Sequence, residues 1–161
     1  MVEIPTNPIT RLCLVRHGET EWNAARRIQG QIDIGLNETG LRQAEAAGRW
    51  LKTAGIMALY SSDLKRARTT AEAIGRALGL EPVLVPEMRE RRYGTFEGLT
   101  YDEAKAKYPE GYAAFEGRNA DYSFENGESL HAMFERVTSR LKKIAAAHAG
   151  QNVVVVLHGG V

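Results

Sequence analysis

The chain carries one arrangement near both of its ends: a short aliphatic run that stops at a histidine followed by glycine. Leu12 to Val15 lead into Arg16, His17 and Gly18, and Val153 to Leu157 lead into His158, Gly159 and Gly160. Aliphatic runs of this length, bounded by glycine, read as buried strands of a sheet. In an open α/β sheet, ligands bind outside the carboxyl ends of the strands. Two strand-end histidines so far apart in sequence therefore call for a fold that brings both ends to one shared site.

The intervening sequence alternates in the way such a fold requires. Asn37 is placed to cap a helix whose apolar stripe is Leu41, Ala44, Ala47, Gly48 and Leu51. Met57 to Tyr60 reads as a second strand, and Asp63 as the cap of a helix with Leu64, Ala67, Ala71, Ile74 and Leu78 on one face and Gly79 as its stop. Val83 to Val85 reads as a third strand, followed by a charged loop from Glu87 to Gly98. Thr100 and Glu103 match a capping box for a helix ending before Pro109, and Tyr112 to Gly127 reads as a short helix plus irregular cover. A last helix, Ser129 to His148, aligns Leu130, Met133, Val137, Leu141 and Ile144 and feeds the final strand. Strands alternating with helices predict an α/β fold: a three-layer α/β/α sandwich around a mostly parallel sheet.

With 161 residues the chain is long enough for a single core without disulfides or metal. The expected organisation is a loose leader over 1–10, with Pro5 and Pro8, and one domain over 11–161. A net charge of +1 gives no electrostatic footprint for nucleic acid or a membrane surface. The longest aliphatic run ends at Leu157 after five residues, far short of the roughly 20 a membrane helix needs. The start lacks a signal-peptide pattern and the single cysteine, Cys13, lies inside the first strand, so a cytoplasmic location is expected.

Leu14-Val15-Arg16-His17-Gly18-Glu19-Thr20 resembles the signature of the histidine phosphatase superfamily, the phosphoglycerate mutase-like proteins. Further matching stretches are Ser61 to Ala67, Arg89 to Gly94 with Glu97-Gly98, Gly127-Glu128-Ser129, and His158-Gly159-Gly160. The resemblance implies His17 as a nucleophile that takes a phosphoryl group on a ring nitrogen, and His158 as the second catalytic histidine, donating to phosphoryl oxygens. It implies Glu90 as the general acid and Arg16, Arg66 and Asn23 as phosphate ligands. The assignments make chemical sense. A neutral imidazole is a competent nucleophile, paired guanidinium donors match phosphoryl oxygens, and Arg66 sits in a first helical turn, where an anion is favoured. Arg91, Arg92 and Tyr93, next to the acid, are candidates for recognising an anionic substrate. His131 and His148 are expected on the surface. No zinc-type spacing and no Gly-x-x-x-x-Gly-Lys loop is present, so neither metal nor cofactor is expected.

The resemblance implies either a phosphatase, which passes the phosphohistidine to water, or a mutase, which returns it to another hydroxyl of the same substrate. Only 67 residues separate Glu90 from His158; the resemblance ties mutases to a longer insertion there and a C-terminal tail, so this compact spacing leans toward a phosphatase. Hydrolysis of small phosphorylated metabolites is the expected activity, with phosphoglycerate mutase as the alternative. The chain stops three residues after His158, where members of the family continue, so a missing C-terminal element is expected. An incomplete, noncatalytic phosphate-binding domain is the third possibility.

Overall fold

The computed structural model describes residues 8–161. Four strands, β1 (Arg11–Arg16), β2 (Ile56–Ser61), β3 (Val83–Leu84) and β4 (Asn152–Leu157), form one sheet in the order β1-β4-β2-β3, and every pair is parallel. The helices are α1 (Glu21–Ala24), α2 (Glu38–Leu51), α3 (Lys65–Leu78), α4 (Tyr101–Lys107), α5 (Pro109–Glu116) and α6 (Leu130–Ala147). The last strand in the chain is thus inserted between the first two. This order sets the C-terminal ends of β1, β4 and β2 side by side.

The three layers follow from the two-residue period of β4, whose Val153 to Val156 are all fully buried. Val153, Val155 and Leu157 face Met133, Val137 and Ile144 of α6. Val154 and Val156 face the opposite side, against Leu51 of α2 and Ala67, Ala71 and Ile74 of α3. Burying each of these valines stabilises the fold by roughly 1.5–3 kcal/mol, so the strand that ends in His158 is the best anchored of the four. β1 lies at the sheet edge, with Leu14 53% exposed.

A third cluster lies beyond the sheet, where Ile28, Phe96, Ala104 and Phe124 pack with Tyr93, Tyr108, Tyr112, Phe115 and Tyr122. It joins α4 and α5 to the loops around them, so the stretch 112–127 packs into a small aromatic core of its own. Its helix begins earlier than the sequence pattern suggested, at Pro109, because proline is well suited to a first helical position. The capping box at Thr100 and Glu103 and the Asn37 cap form as expected.

Two local readings are corrected. The third strand is only Val83–Leu84, since Val85 turns into a 3-10 turn at Pro86–Met88. Asp63 does not cap α3: Leu64 is the N-cap residue and makes no side-chain cap bond. Asp63 instead takes two hydrogen bonds from the Arg89 guanidinium, at 2.7 and 2.5 Å. The free Lys65 N–H is met from outside the helix by Asp33 Oδ1, at 2.6 Å. Of the expected leader, residues 1–7 lie outside the described residues. Thr10 is already fixed to the domain, its hydroxyl 3.0 Å from the carbonyls of Ala145 and His148.

Candidate active site

The β1–β4 ladder pairs Arg16 with Leu157, and the His17 N–H continues it by donating to the Leu157 carbonyl at 3.0 Å. The residues that follow, His17 and His158, therefore meet, with ring centroids 5.1 Å apart. Both are buried. The histidines at the two ends of the chain are neighbours because of this register.

His17 is held in one tautomer. Its Nδ1 lies 2.7 Å from the Gly18 carbonyl, and a carbonyl can only accept, so Nδ1 carries the proton and Nε2 the lone pair. Arg66 Nε donates to that Nε2 at 3.3 Å. Thr70 ties the two neighbours together, accepting the Gly18 N–H at 3.0 Å and donating to the Arg66 carbonyl at 2.7 Å. Burial, aided by the Arg66 and Arg16 guanidiniums and opposed by the Gly18 bond, lowers the His17 pKa to about 4. A neutral ring whose Nε2 lone pair is held only by the long Arg66 bond is the state a nucleophile needs.

Arg66, in the first turn of α3, is 1% exposed. Its NH1 and NH2 groups donate to the carbonyls of Ile32 and Gly30, at 2.9 and 2.7 Å. Three of its five N–H donors are thus engaged, and two remain for an anion. Arg16 reaches the site from the end of β1 and packs on Gly159, where a Cβ would stand 3.1 Å from its guanidinium carbon.

Glu90 arrives from the charged loop after β3. Its Oε1 accepts the Arg91 N–H at 2.8 Å and its Oε2 the Gly160 N–H at 2.9 Å. Burial raises its pKa, while those two N–H groups and the Arg66 and Arg16 charges oppose the rise. A Cβ at residue 160 would collide with Glu90 Oε1 and come 2.8 Å from the Tyr93 hydroxyl. The glycine pair after His158 thus makes room for Arg16 on one side and Glu90 on the other.

Arg16, His17, Asn23, Arg66 and Glu90 all line one cavity of about 560 Å³, and the His158 ring packs beside that of His17. Asn23 has a second duty: its Oδ1 accepts from the Thr20 N–H and hydroxyl, closing the capping box of α1. Its amide nitrogen is the part left to face a ligand. Among the described residues, no three His, Cys, Asp or Glu side chains cluster as metal ligands would.

Arg91 and Tyr93 line the same cavity, although two of the Arg91 groups, Nε and NH2, are engaged within the protein. They donate to the carbonyls of Glu128 and Tyr122, at 3.1 and 2.9 Å, and the guanidinium lies 4.6 Å from the centre of the Phe124 ring. His148 is only partly exposed, bonded to the Tyr60 hydroxyl and Gln151, whereas His131 sits on the surface as expected.

Three supporting residues escaped the sequence reading. Besides Thr70, Arg136 of α6 donates to the carbonyls of Glu87, Arg89 and Glu90 and to both oxygens of Glu128. It therefore clamps the segment that carries the acid. Glu128, within the quoted Gly127-Glu128-Ser129 stretch, also accepts the Arg92 N–H at 2.9 Å. For Glu128 that stretch was a usable signal; for Arg136 none was available.

Comparison with known proteins agrees with this geometry. The family model described as histidine phosphatase superfamily (branch 1) matches residues 12–161. A metal-independent phosphoserine phosphatase of Arabidopsis thaliana is 47% identical over 156 residues, covering 95% of this chain and 66% of the relative. Phosphoglycerate mutase-like protein 4 of the same plant is 45% identical over 153 residues, covering 93% and 66%. The chain thus spans slightly less than two thirds of the length of these relatives. A mycobacterial glucosyl-3-phosphoglycerate phosphatase, solved with VO3, superposes with a TM-score of 0.84 at 34% identity, covering 91% of this chain and 75% of that one. With the matched region running from the first strand through both histidines, the chain belongs to the histidine phosphatase superfamily.

Proposed function

We propose that this domain hydrolyses small phosphate monoesters through a phosphohistidine at His17. The observation that carries the reading is the His17 ring itself: proton fixed on Nδ1 by the Gly18 carbonyl, Nε2 unprotonated and set beside Arg66. In the first step Nε2 attacks phosphorus and the bond to the ester oxygen breaks. Glu90, whose raised pKa favours a protonated carboxyl, gives its proton to the departing alkoxide. Arg16, Arg66, Asn23 and His158 hold the phosphoryl oxygens, supplying charge stabilisation without a metal.

In the second step a water attacks phosphorus and passes a proton to the Glu90 carboxylate. The P–N bond breaks, its electron pair returns to Nε2, and phosphate leaves. Nδ1 keeps its proton and its bond to Gly18 throughout.

Two of the relatives are named as phosphatases, of phosphoserine and of glucosyl-3-phosphoglycerate, which supports a small phosphorylated metabolite as substrate. No helix among the described residues is long and apolar enough to cross a membrane. The test follows free phosphate and 2-phosphoglycerate together, with O-phosphoserine, 3-phosphoglycerate and an aryl phosphate as substrates. Phosphate release without isomer formation, abolished in His17→Ala together with acid-labile phosphate incorporation, is the expected result. Isomerisation outpacing phosphate release, or substantial turnover by His17→Ala, would overturn the reading.

A further inference from the structure

The two ring nitrogens of His158 are in different situations. Nε2 lies 2.8 Å from the Ser62 hydroxyl oxygen, whereas Nδ1 is buried with no hydrogen-bond partner among the described residues. Buried polar atoms are almost always paired, so an exception beside the candidate nucleophile asks for an occupant. Ser62 is itself fully buried and fixed in place, its N–H donating to the Val156 carbonyl at 3.0 Å. It directly follows β2 and is tied to β4.

The direction of the Ser62 bond follows from proton accounting. The Leu64 N–H donates to Ser62 Oγ, at 3.4 Å, and takes one of its two lone pairs, so the direction turns on where the hydroxyl proton can go. The hydroxyl has one proton to give, and among the described residues its one acceptor is His158 Nε2. A neutral ring that accepts at Nε2 must carry its own proton on Nδ1. The ring is kept neutral by burial and by the guanidinium charges of Arg66, Arg136 and Arg16, which hold its pKa well below that of an ordinary histidine.

We propose that Ser62 is a positioning residue that fixes His158 as its Nδ1–H tautomer, and that this N–H is the bond offered to a phosphoryl oxygen on His17. The second half rests on the phosphatase reading; the first does not. The two histidines then share a tautomer and have opposite roles. His17 spends its Nδ1–H on Gly18 and keeps an Nε2 lone pair met only by Arg66 Nε at 3.3 Å, while His158 spends its lone pair on Ser62 and keeps a proton to donate. One side-chain type thus serves as nucleophile and as hydrogen-bond donor, according to which nitrogen the sheet engages.

Nitrogen-15 spectra of histidine-labelled protein read the tautomer without substrate. The expected wild-type result is a protonated Nδ1 and an unprotonated, hydrogen-bonded Nε2 at His158, with the Nδ1 proton shifting when orthovanadate is added. Ser62→Ala should give a mixture of tautomers and about a tenfold lower kcat, and Ser62→Thr, which keeps the hydroxyl, should restore both. A protonated Nε2 in the wild type overturns the proposal, and so does a Ser62→Ala protein with unchanged tautomer and kcat. The wild-type spectrum decides the first half even if a variant fails to fold. An Nδ1 proton unmoved by vanadate rejects the second half, whereas a missing phosphatase activity beside the expected tautomer counts against the functional reading alone.

Discussion

Arg136→Met tests whether the acid-bearing segment is held from α6. The guanidinium makes hydrogen bonds of 2.8, 2.8 and 3.0 Å to the carbonyls of Glu87, Arg89 and Glu90, and of 3.0 and 2.6 Å to the two oxygens of Glu128. Its side chain is 23% exposed and that of Glu128 18%, so water cannot fully replace what is lost. Breaking a fully buried ion pair costs about 3–5 kcal/mol. Partial exposure reduces this, and a cost of about 2–4 kcal/mol is expected. In a domain of this size that corresponds to a drop in Tm of roughly 5–15 °C, measured by calorimetry. Most of the cost comes from the stranded Glu128 carboxylate, which burial disfavours and only its Arg136 and Arg92 partners keep ionised. Arg136→Met combined with Glu128→Gln should therefore be more stable than the sum of the single changes predicts, by about 1 kcal/mol or more. A Tm within 2 °C of wild type for Arg136→Met, or strictly additive single changes, would refute this reasoning.

Gly160→Ala should act on the acid step, because its Cβ collides with Glu90 Oε1 and disturbs the 2.9 Å bond to Oε2. Turnover of an alkyl phosphate is expected to fall about 100-fold, within the range for loss of a general acid. An aryl phosphate, whose leaving group needs no proton, should lose far less, and equal losses on both would sink the assignment of Glu90. The pH dependence of stability reports on His17. Its pKa is lowered to about 4 in the folded state against an ordinary 6.5, so as pH falls the unfolded chain takes up that proton first. Stability owed to this group is fully present above pH 6.5 and is lost as pH falls from there to 4, by about 3 kcal/mol. Denaturant titrations of wild type and His17→Asn at pH 7 and pH 4 isolate the effect, and an equal pH dependence in both proteins would contradict it.

What was legible in the sequence follows a physical rule. Arg16, His17 and His158 could be found because a strand end bounded by glycine fixes where a side chain emerges, and parallel register then aligns the ends. Arg66 was named through the resemblance, and only its place in a first helical turn was local enough to be read from the pattern. Glu90 was found through resemblance alone, since nothing in a charged loop distinguishes one glutamate from Glu87 or Glu97. The structure supplies the distinction: Glu97 is spent on the N–H groups of Gln31 and Tyr93, whereas Glu90 reaches the turn after β4.

The misreadings have the opposite character. Asp63 was a sound local cap, but Arg89 outcompeted the helix for its carboxylate and Asp33 supplied the cap from another loop. Arg91 is likewise engaged far from its neighbours in sequence, its Nε and NH2 donating to Glu128 and Tyr122 while it still lines the cavity. Each involves a polar group with several partners of similar strength available, and the choice among them is made by chain segments dozens of residues away. Charged hydrogen bonds of this kind differ by only about 1–3 kcal/mol, less than the burial energy that sets the strands and helices in place. The apolar pattern therefore fixes where the elements lie, and the polar partners are chosen afterwards from whatever that placement brings within reach. Arg136 illustrates the dependence: the stripe of α6 seats Met133 and Val137 against the sheet, and that placement puts the neighbouring guanidinium within reach of the three carbonyls of the acid loop.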